Sequence, residues 1–155
     1  MNKKIIESRT IQAFAEVYIN ENATAMSVPA GSDYTKLIMT NFATGNYKNC
    51  TIDLESGTIT VNKSGKYAVN CTFSSKLATT DVIWDTAVFA NDVEAADLHM
   101  RRRFSTLGYT FNVTLSGIIS LSAGDILDVR SKHNNASAVS ITTEYANISL
   151  HRISI

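Results

Sequence analysis

Apolar and polar side chains alternate one by one along most of this chain. The pattern is clearest between residues 109 and 130, where Tyr109, Phe111, Val113 and Leu115 are interleaved with Thr110, Asn112, Thr114 and Ser116. A period of two places the first set on one face of a β-strand and the second on the other. Gly117 interrupts the alternation, and Ile118, Ile119 and Leu121 follow it. Ser122-Ala123-Gly124-Asp125 predicts a tight turn, since glycine supplies backbone freedom and aspartate bonds to its own backbone. A second strand leaves this turn with Ile126, Leu127 and Val129. Such a two-strand unit, apolar on one face, has to cover a core built by other strands.

The same reading supplies those strands. Residues 11 to 19 set Ile11, Ala13, Ala15, Val17 and Ile19 against Gln12, Phe14, Glu16 and Tyr18. Two aromatics on the second face predict that both faces of this strand are covered. A short strand is expected from Ala23 to Val28, ended by Pro29-Ala30-Gly31-Ser32. Leu37-Ile38-Met39 is a brief apolar run, and Asn41 to Asn49 reads as a loop. Cys50 to Leu54 and Thr58 to Val61 are strands joined by Glu55-Ser56-Gly57. Asn62-Lys63-Ser64-Gly65 turns into a strand over residues 66 to 75, with Tyr67, Val69, Cys71 and Phe73 on one face. Val82 to Ala90 is a further strand. From Ala95 to Phe104 helical and strand spacings compete, and strand is chosen because strong strands flank it. His133 to Ala138 reads as polar loop, and Val139 to Ile141 and Tyr145 to Ile153 close the chain. Ten or so short antiparallel strands in one domain make a sandwich or a closed barrel. Residues 1 to 10 are read as a lead-in segment and 11 to 155 as the domain.

Composition narrows the partners. The 155 residues carry 14 basic and 14 acidic side chains, so no net field attracts a nucleic acid or an anionic membrane. No apolar run is long enough to span a bilayer as a helix. The basic start lacks an apolar segment behind it, and no secretory signal is read there.

Two stretches resemble a known family. They are Leu54-Glu55-Ser56-Gly57-Thr58-Ile59-Thr60-Val61 with Asn62-Lys63-Ser64-Gly65-Lys66-Tyr67-Ala68-Val69, and Gly117-Ile118-Ile119-Ser120-Leu121-Ser122-Ala123-Gly124-Asp125-Ile126-Leu127-Asp128-Val129. They look like the tumour necrosis factor and complement first-component globular head superfamily. There a strand-turn run enters a central strand at Gly-x-Tyr, and a Leu-x-x-Gly-Asp turn joins two later strands. Phe14-Ala15-Glu16-Val17 and Tyr145 to Ile153 fall where the family has its first and last strands. The resemblance implies an all-β, ten-strand antiparallel jelly-roll sandwich that forms a homotrimer. It also implies that the first, last, central and Gly-Asp-preceding strands make one sheet facing the threefold axis. Such heads bind proteins or sugars and are not usually enzymes. The collagen repeat of the stalked members is absent, and the strands are richer in Asn and Thr than in the animal proteins. These departures direct the expectation to a phage fibre or bacterial surface protein, located on a virion or cell surface. The alternative is a structural trimerisation or decoration domain without a ligand of its own.

Candidate chemistry adds little to this. His99, His133 and His151 are scattered, and no nucleophile with a base stands out. The acidic series Asp81, Asp85, Asp92, Glu94 and Asp97 fits no calcium loop, so no cofactor is expected, with Asp81, Asp85 and Asp92 as the only calcium candidates. Tyr34, Tyr47 and Trp84 are the candidates for a carbohydrate platform. Arg101-Arg102-Arg103 is too narrow a basic field for nucleic acid, and the parity of Arg102 with Leu98, Met100 and Phe104 suggests a subunit contact. Cys50 and Cys71 read as buried thiols, although a disulfide stays open where alpha carbons lie within about 7 Å. Seven Asn-x-Ser/Thr sequons start at Asn22, Asn49, Asn62, Asn70, Asn112, Asn135 and Asn147, and composition accounts for them. Asn70, Thr72, Asn112, Thr114, Asn147 and Ser149 all oppose the apolar face of their strands. If the family's topology holds, they form one polar patch at the trimer interface, together with Phe14 and Tyr18.

Overall fold

The computed structural model describes residues 12–31, 33–106 and 108–154. Twelve strands follow one another in the chain, β1 (Phe14–Ile19), β2 (Met26–Val28), β3 (Thr35–Lys36), β4 (Ala43–Thr44), β5 (Cys50–Asp53), β6 (Thr58–Val61), β7 (Gly65–Leu77), β8 (Val82–Ala90), β9 (Val93–Phe104), β10 (Thr110–Leu121), β11 (Ile126–His133) and β12 (Val139–Ser154). Two sheets result. One runs β10-β7-β12-β1-β4, with β2 also on β12, and the other runs β5-β6-β11-β8-β9, with β3 also on β11. The first, last, central and Gly-Asp-preceding strands therefore do share a sheet.

Registers follow from the alternation. β10 pairs with β7 along its whole length, from Thr110 opposite Lys76 to Leu121 opposite Gly65. β7 pairs on its other edge with β12, from Ile141 opposite Leu77 to Ser154 opposite Lys66. A one-residue slip would send Tyr67, Val69 and Cys71 to the outside, and these three are almost wholly buried. The inward faces of the two sheets meet in one core that includes Val17, Tyr67, Cys71, Trp84, Leu98 and Leu150. Tyr67 brings a polar group into it and satisfies that group by donating to the Lys63 carbonyl at 2.6 Å. Burial pushes the Cys50 thiol up to about 11 and the Cys71 thiol up to about 12. Both cysteines are free and buried.

Several expectations need correction. The sandwich has twelve strands, two more than the ten expected, because two-residue pieces pair where the sequence showed none. β4 lies inside the stretch 41–49 expected as loop, held by Ala43 opposite Tyr18 and Thr44 opposite Val17. Thr35–Lys36 forms β3 just before the Leu37-Ile38-Met39 run. The last two expected strands are one, β12, with its irregularity between Thr143 and Tyr145. His133 is not loop but the buried end of β11, stacked on Trp84 with ring centroids 5.7 Å apart. Its Nε2–H donates to the Val28 carbonyl at 3.0 Å, while Nδ1 accepts from Asn135 N–H. With both ring nitrogens hydrogen-bonded, an imidazole can sit in the core. The choice of strand for β9 agrees with the structure, since Leu98 and Phe104 face inward. The expected lead-in segment 1–10 and Ile11 lie outside the described residues.

Candidate functional site

The outward face of the first sheet collects most of the expected interface residues. Because β10, β7, β12 and β1 are consecutive neighbours, residues in register form rows across four strands. One row is Ser116, Asn70, Ser149 and Glu16, and the next is Thr114, Thr72, Asn147 and Tyr18. Beyond them lie Asn112, Ser74 and Tyr145 on one side, and Ile118, Ala68, His151 and Phe14 on the other. Phe14, Tyr18, Asn70, Thr72, Asn112, Thr114, Asn147 and Ser149 therefore share a single face.

Hydrogen bonds tie the rows sideways. Ser74 Oγ donates to Asn112 Oδ1 at 2.5 Å, Ser116 Oγ to Asn70 Oδ1 at 2.7 Å, and Asn147 Nδ2 to Glu16 Oε1 at 2.7 Å. Cross-strand polar pairs of this kind stiffen a sheet. They leave the amide N–H2 groups of Asn70 and Asn112 and the amide oxygen of Asn147 without a partner among the described residues. Near Tyr145 the face dips into an open depression of about 440 Å³ walled by Thr72, Ser74, Asn112, Thr114 and Asn147. Exposed apolar rings and chains flank the polar centre, with Tyr145 47% and Ile118 55% exposed and Phe14 and Tyr18 half-buried.

Arg102 lies on β9 in the other sheet, not on this face. It reaches the rim, where Nη1 donates to the Asn112 carbonyl at 3.3 Å and the guanidinium lies 5.4 Å from the Phe104 ring centroid. Parity alone could have found Glu16, Ser74, Ser116, Ile118 and Tyr145, which share the outward phase of their strands. The expectation was built on the Asn-x-Ser/Thr triplets and passed over them.

The other candidates do not converge. Trp84 is 1% exposed and stacked in the core, so it offers no open ring to a sugar. Tyr34 lies on the outer face of the second sheet, edge-on to Phe89 at 4.9 Å and beneath Lys132 Nζ at 4.2 Å. Its hydroxyl is buried without a hydrogen bond of normal geometry. Burial first, and then the Glu94 and Asp85 carboxylates, hold that phenol well above its ordinary range. Tyr47 is 57% exposed in the loop after β4, on its own.

The carboxylates considered for calcium each have a separate cation. Asp81 meets Arg103, Asp92 meets Arg130, and Asp85 takes two hydrogen bonds from Arg101 at 2.8 and 3.2 Å. His99 Nε2 is a further 2.9 Å partner of Asp85. Burial pushes the Asp85 carboxyl up, but the bonds from Arg101 and His99 outweigh it and hold the group below its usual range. Among the described residues no group of three or more His, Cys, Asp or Glu is placed to hold a metal ion. No described helix is long and apolar enough to cross a membrane.

No family model and no curated protein matches the sequence. Solved structures do match its shape. The globular domain of zebrafish complement 1qA protein superposes with a TM-score of 0.62 at 16% identity, over 91% of this chain and 97% of that one. Eiger TNF from S. frugiperda gives 0.61 at 14% identity, over 92% and 94%. Murine APRIL at pH 5.0 gives 0.60 at 12% identity, over 92% and 99%. At such identities the likeness speaks for the fold alone, and it covers nearly the whole chain. The chain has the jelly-roll sandwich fold of the tumour necrosis factor and complement globular heads.

Proposed function

We propose that this domain is a non-enzymatic homotrimeric head, assembled through the outward face of the first sheet. The observation that carries the reading is the gathering of eight side chains from β1, β7, β10 and β12 on that face, with unpaired amide donors and an amide acceptor in three successive rows. A surface offering Asn70 and Asn112 N–H2 groups and the Asn147 oxygen gives neighbouring copies around a threefold axis both donors and an acceptor to meet. Half-buried Phe14 and Tyr18 and exposed Tyr145 and Ile118 supply the apolar and aromatic area that interfaces enrich. The rest of the surface is then free to meet a cell-surface protein or glycan, at the tip of a phage fibre or on a bacterial surface.

A second reading has its own support. The three aromatic candidates for a glycan platform lie apart, one of them in the core, which favours a structural trimerisation or virion decoration domain. Light scattering at micromolar concentration tests the assembly, with three times the 16.9 kDa chain mass expected and the single-chain mass overturning it. Glycan arrays and competition for host cells by the isolated domain separate the two readings.

A further inference from the structure

A small cavity lies between the two sheets. It measures about 20 Å³ and is walled by the apolar side chains of Phe73, Phe111, Val113 and Val129. Four hydroxyls also face it, Ser75 and Thr143 from the first sheet and Thr86 and Ser131 from the second. Ser75, Thr86 and Thr143 are buried.

These hydroxyls form two separate pairs. Ser75 Oγ and Thr143 Oγ1 are 3.1 Å apart, and Thr86 Oγ1 and Ser131 Oγ are 3.1 Å apart. Trp84 Nε1–H donates to Thr86 Oγ1 at 3.1 Å. Among the described residues no hydrogen bond joins one pair to the other. Each pair has two O–H donors and uses one of them internally. One hydroxyl hydrogen per pair is therefore left over; at the buried Ser75, Thr143 and Thr86 an unmade bond costs free energy, while Ser131 is half-buried.

We propose that the cavity binds one structural water that joins the two sheets. Water is the ligand whose chemistry balances this count. Its two lone pairs accept the spare hydroxyl hydrogen of each pair, and its two hydrogens are donated to hydroxyl lone pairs. A buried water needs roughly 10–15 Å³ and two to four polar partners, and the cavity meets both conditions. Access is also provided. A surface groove of about 440 Å³, flanked by Ile38, Phe42 and Asn41, shares Met26, Leu37, Ile141 and Thr143 with the cavity. Met26 and Leu37 are only partly buried and line both groove and cavity. The water thus replaces a direct bond between Ser75–Thr143 and Thr86–Ser131, and makes the packing of the sheets depend on hydroxyls as well as on apolar area.

Two measurements test this. A crystal structure of the unaltered protein that resolves ordered solvent is expected to show density within hydrogen-bonding distance of one hydroxyl from each pair. An empty cavity, or density touching one pair only, overturns the proposal. A double-mutant cycle between Thr143→Val and Ser131→Ala then reads the link in unfolding equilibria. A bridging water couples the two sites by about threefold or more in the equilibrium constant, whereas additive effects show two independent pairs and refute the bridge even where density is present.

Discussion

Asp85 shows how a single charged residue is kept inside this fold. Its side chain is 5% exposed while that of Arg101 is 64% exposed. The partners are therefore unequal. Replacing Arg101 leaves a buried carboxylate with His99 alone, and replacing Asp85 leaves a guanidinium that water already solvates. Arg101→Gln is expected to lose more stability than Asp85→Asn, as read from urea unfolding at neutral pH. The pH dependence has a definite sign. The folded carboxyl titrates below its unfolded value of about 3.9, so its contribution is complete above that value and is lost as pH falls through the lower folded value. Wild type should lose stability on acidification below about pH 4 more steeply than Asp85→Asn. Equal slopes for the two proteins would remove Asp85 from the account.

At the scale of elements, the turn between β10 and β11 is tied by hydrogen bonds to several neighbours. Gly124 sits at φ +96°, and an added Cβ there would meet nothing within 4 Å. The cost of a side chain is thus backbone strain and not collision. Asp125 Oδ2 accepts from Ser122 N–H at 2.8 Å, and Asp125 Oδ1 accepts from Asn91 Nδ2 at 2.8 Å. Gly124 N–H donates to the Val61 carbonyl at 2.7 Å, and Ala123 N–H to Ser64 Oγ at 2.9 Å. One turn thereby fastens the ends of β6 and β8 as well as its own strands. Gly124→Val is expected to lower stability by about 1 kcal/mol or more in urea unfolding. A variant melting like wild type would contradict the assignment.

This turn was legible from its four residues, and so were the long strands, because a period of two survives wherever one face is buried. β3 and β4 were not legible, since two residues carry no period and their pairing depends on which edges β11 and β1 leave open. Trp84 was misread for a related reason. Val82, Trp84, Thr86 and Val88 keep parity, but Asp85, Ala87 and Phe89 are buried too, which erases the contrast between faces. Tyr34, packed on Phe89 across the outer face, is part of what covers that side. The polar patch could be placed because Asn70, Asn112 and Asn147 each oppose a clear apolar set. The inner hydroxyl pairs were not placed, because the period of two puts Ser75 on the face of Tyr67, Val69, Cys71 and Phe73 but does not say which side chains of the other sheet it meets.

For the whole molecule, Asn112 is the position that discriminates. It accepts from Ser74, lends its carbonyl to Arg102 and stands at the depression beside Tyr145. On a face open to solvent, Asn112→Leu leaves the balance between trimer and single chain nearly unchanged. In a hydrogen-bonded interface, dissociation or melting shifts by more than about 1 kcal/mol per subunit. Melting followed at several protein concentrations reads the effect, because an assembly that binds only the folded chain makes its midpoint concentration-dependent. A midpoint independent of concentration in both proteins would exclude assembly through this face.

The pairing of β1 with β12 has a mechanical consequence. Phe14 lies opposite His151, and Arg152 N–H donates to the Ala13 carbonyl at 2.8 Å, so the outer ends of these antiparallel strands are side by side. A force pulling residue 13 away from residue 152 loads the ladder at that end, one pair after another from Phe14–His151 to Ile19–Ala146. The strands peel apart like a zip and are not sheared along their length, so little tension is needed to open them. A load carried through one of these ends only never acts across that ladder. Force spectroscopy with handles at residues 13 and 152 should therefore record a low rupture force, and handles that load β7 against β10 lengthwise a much higher one.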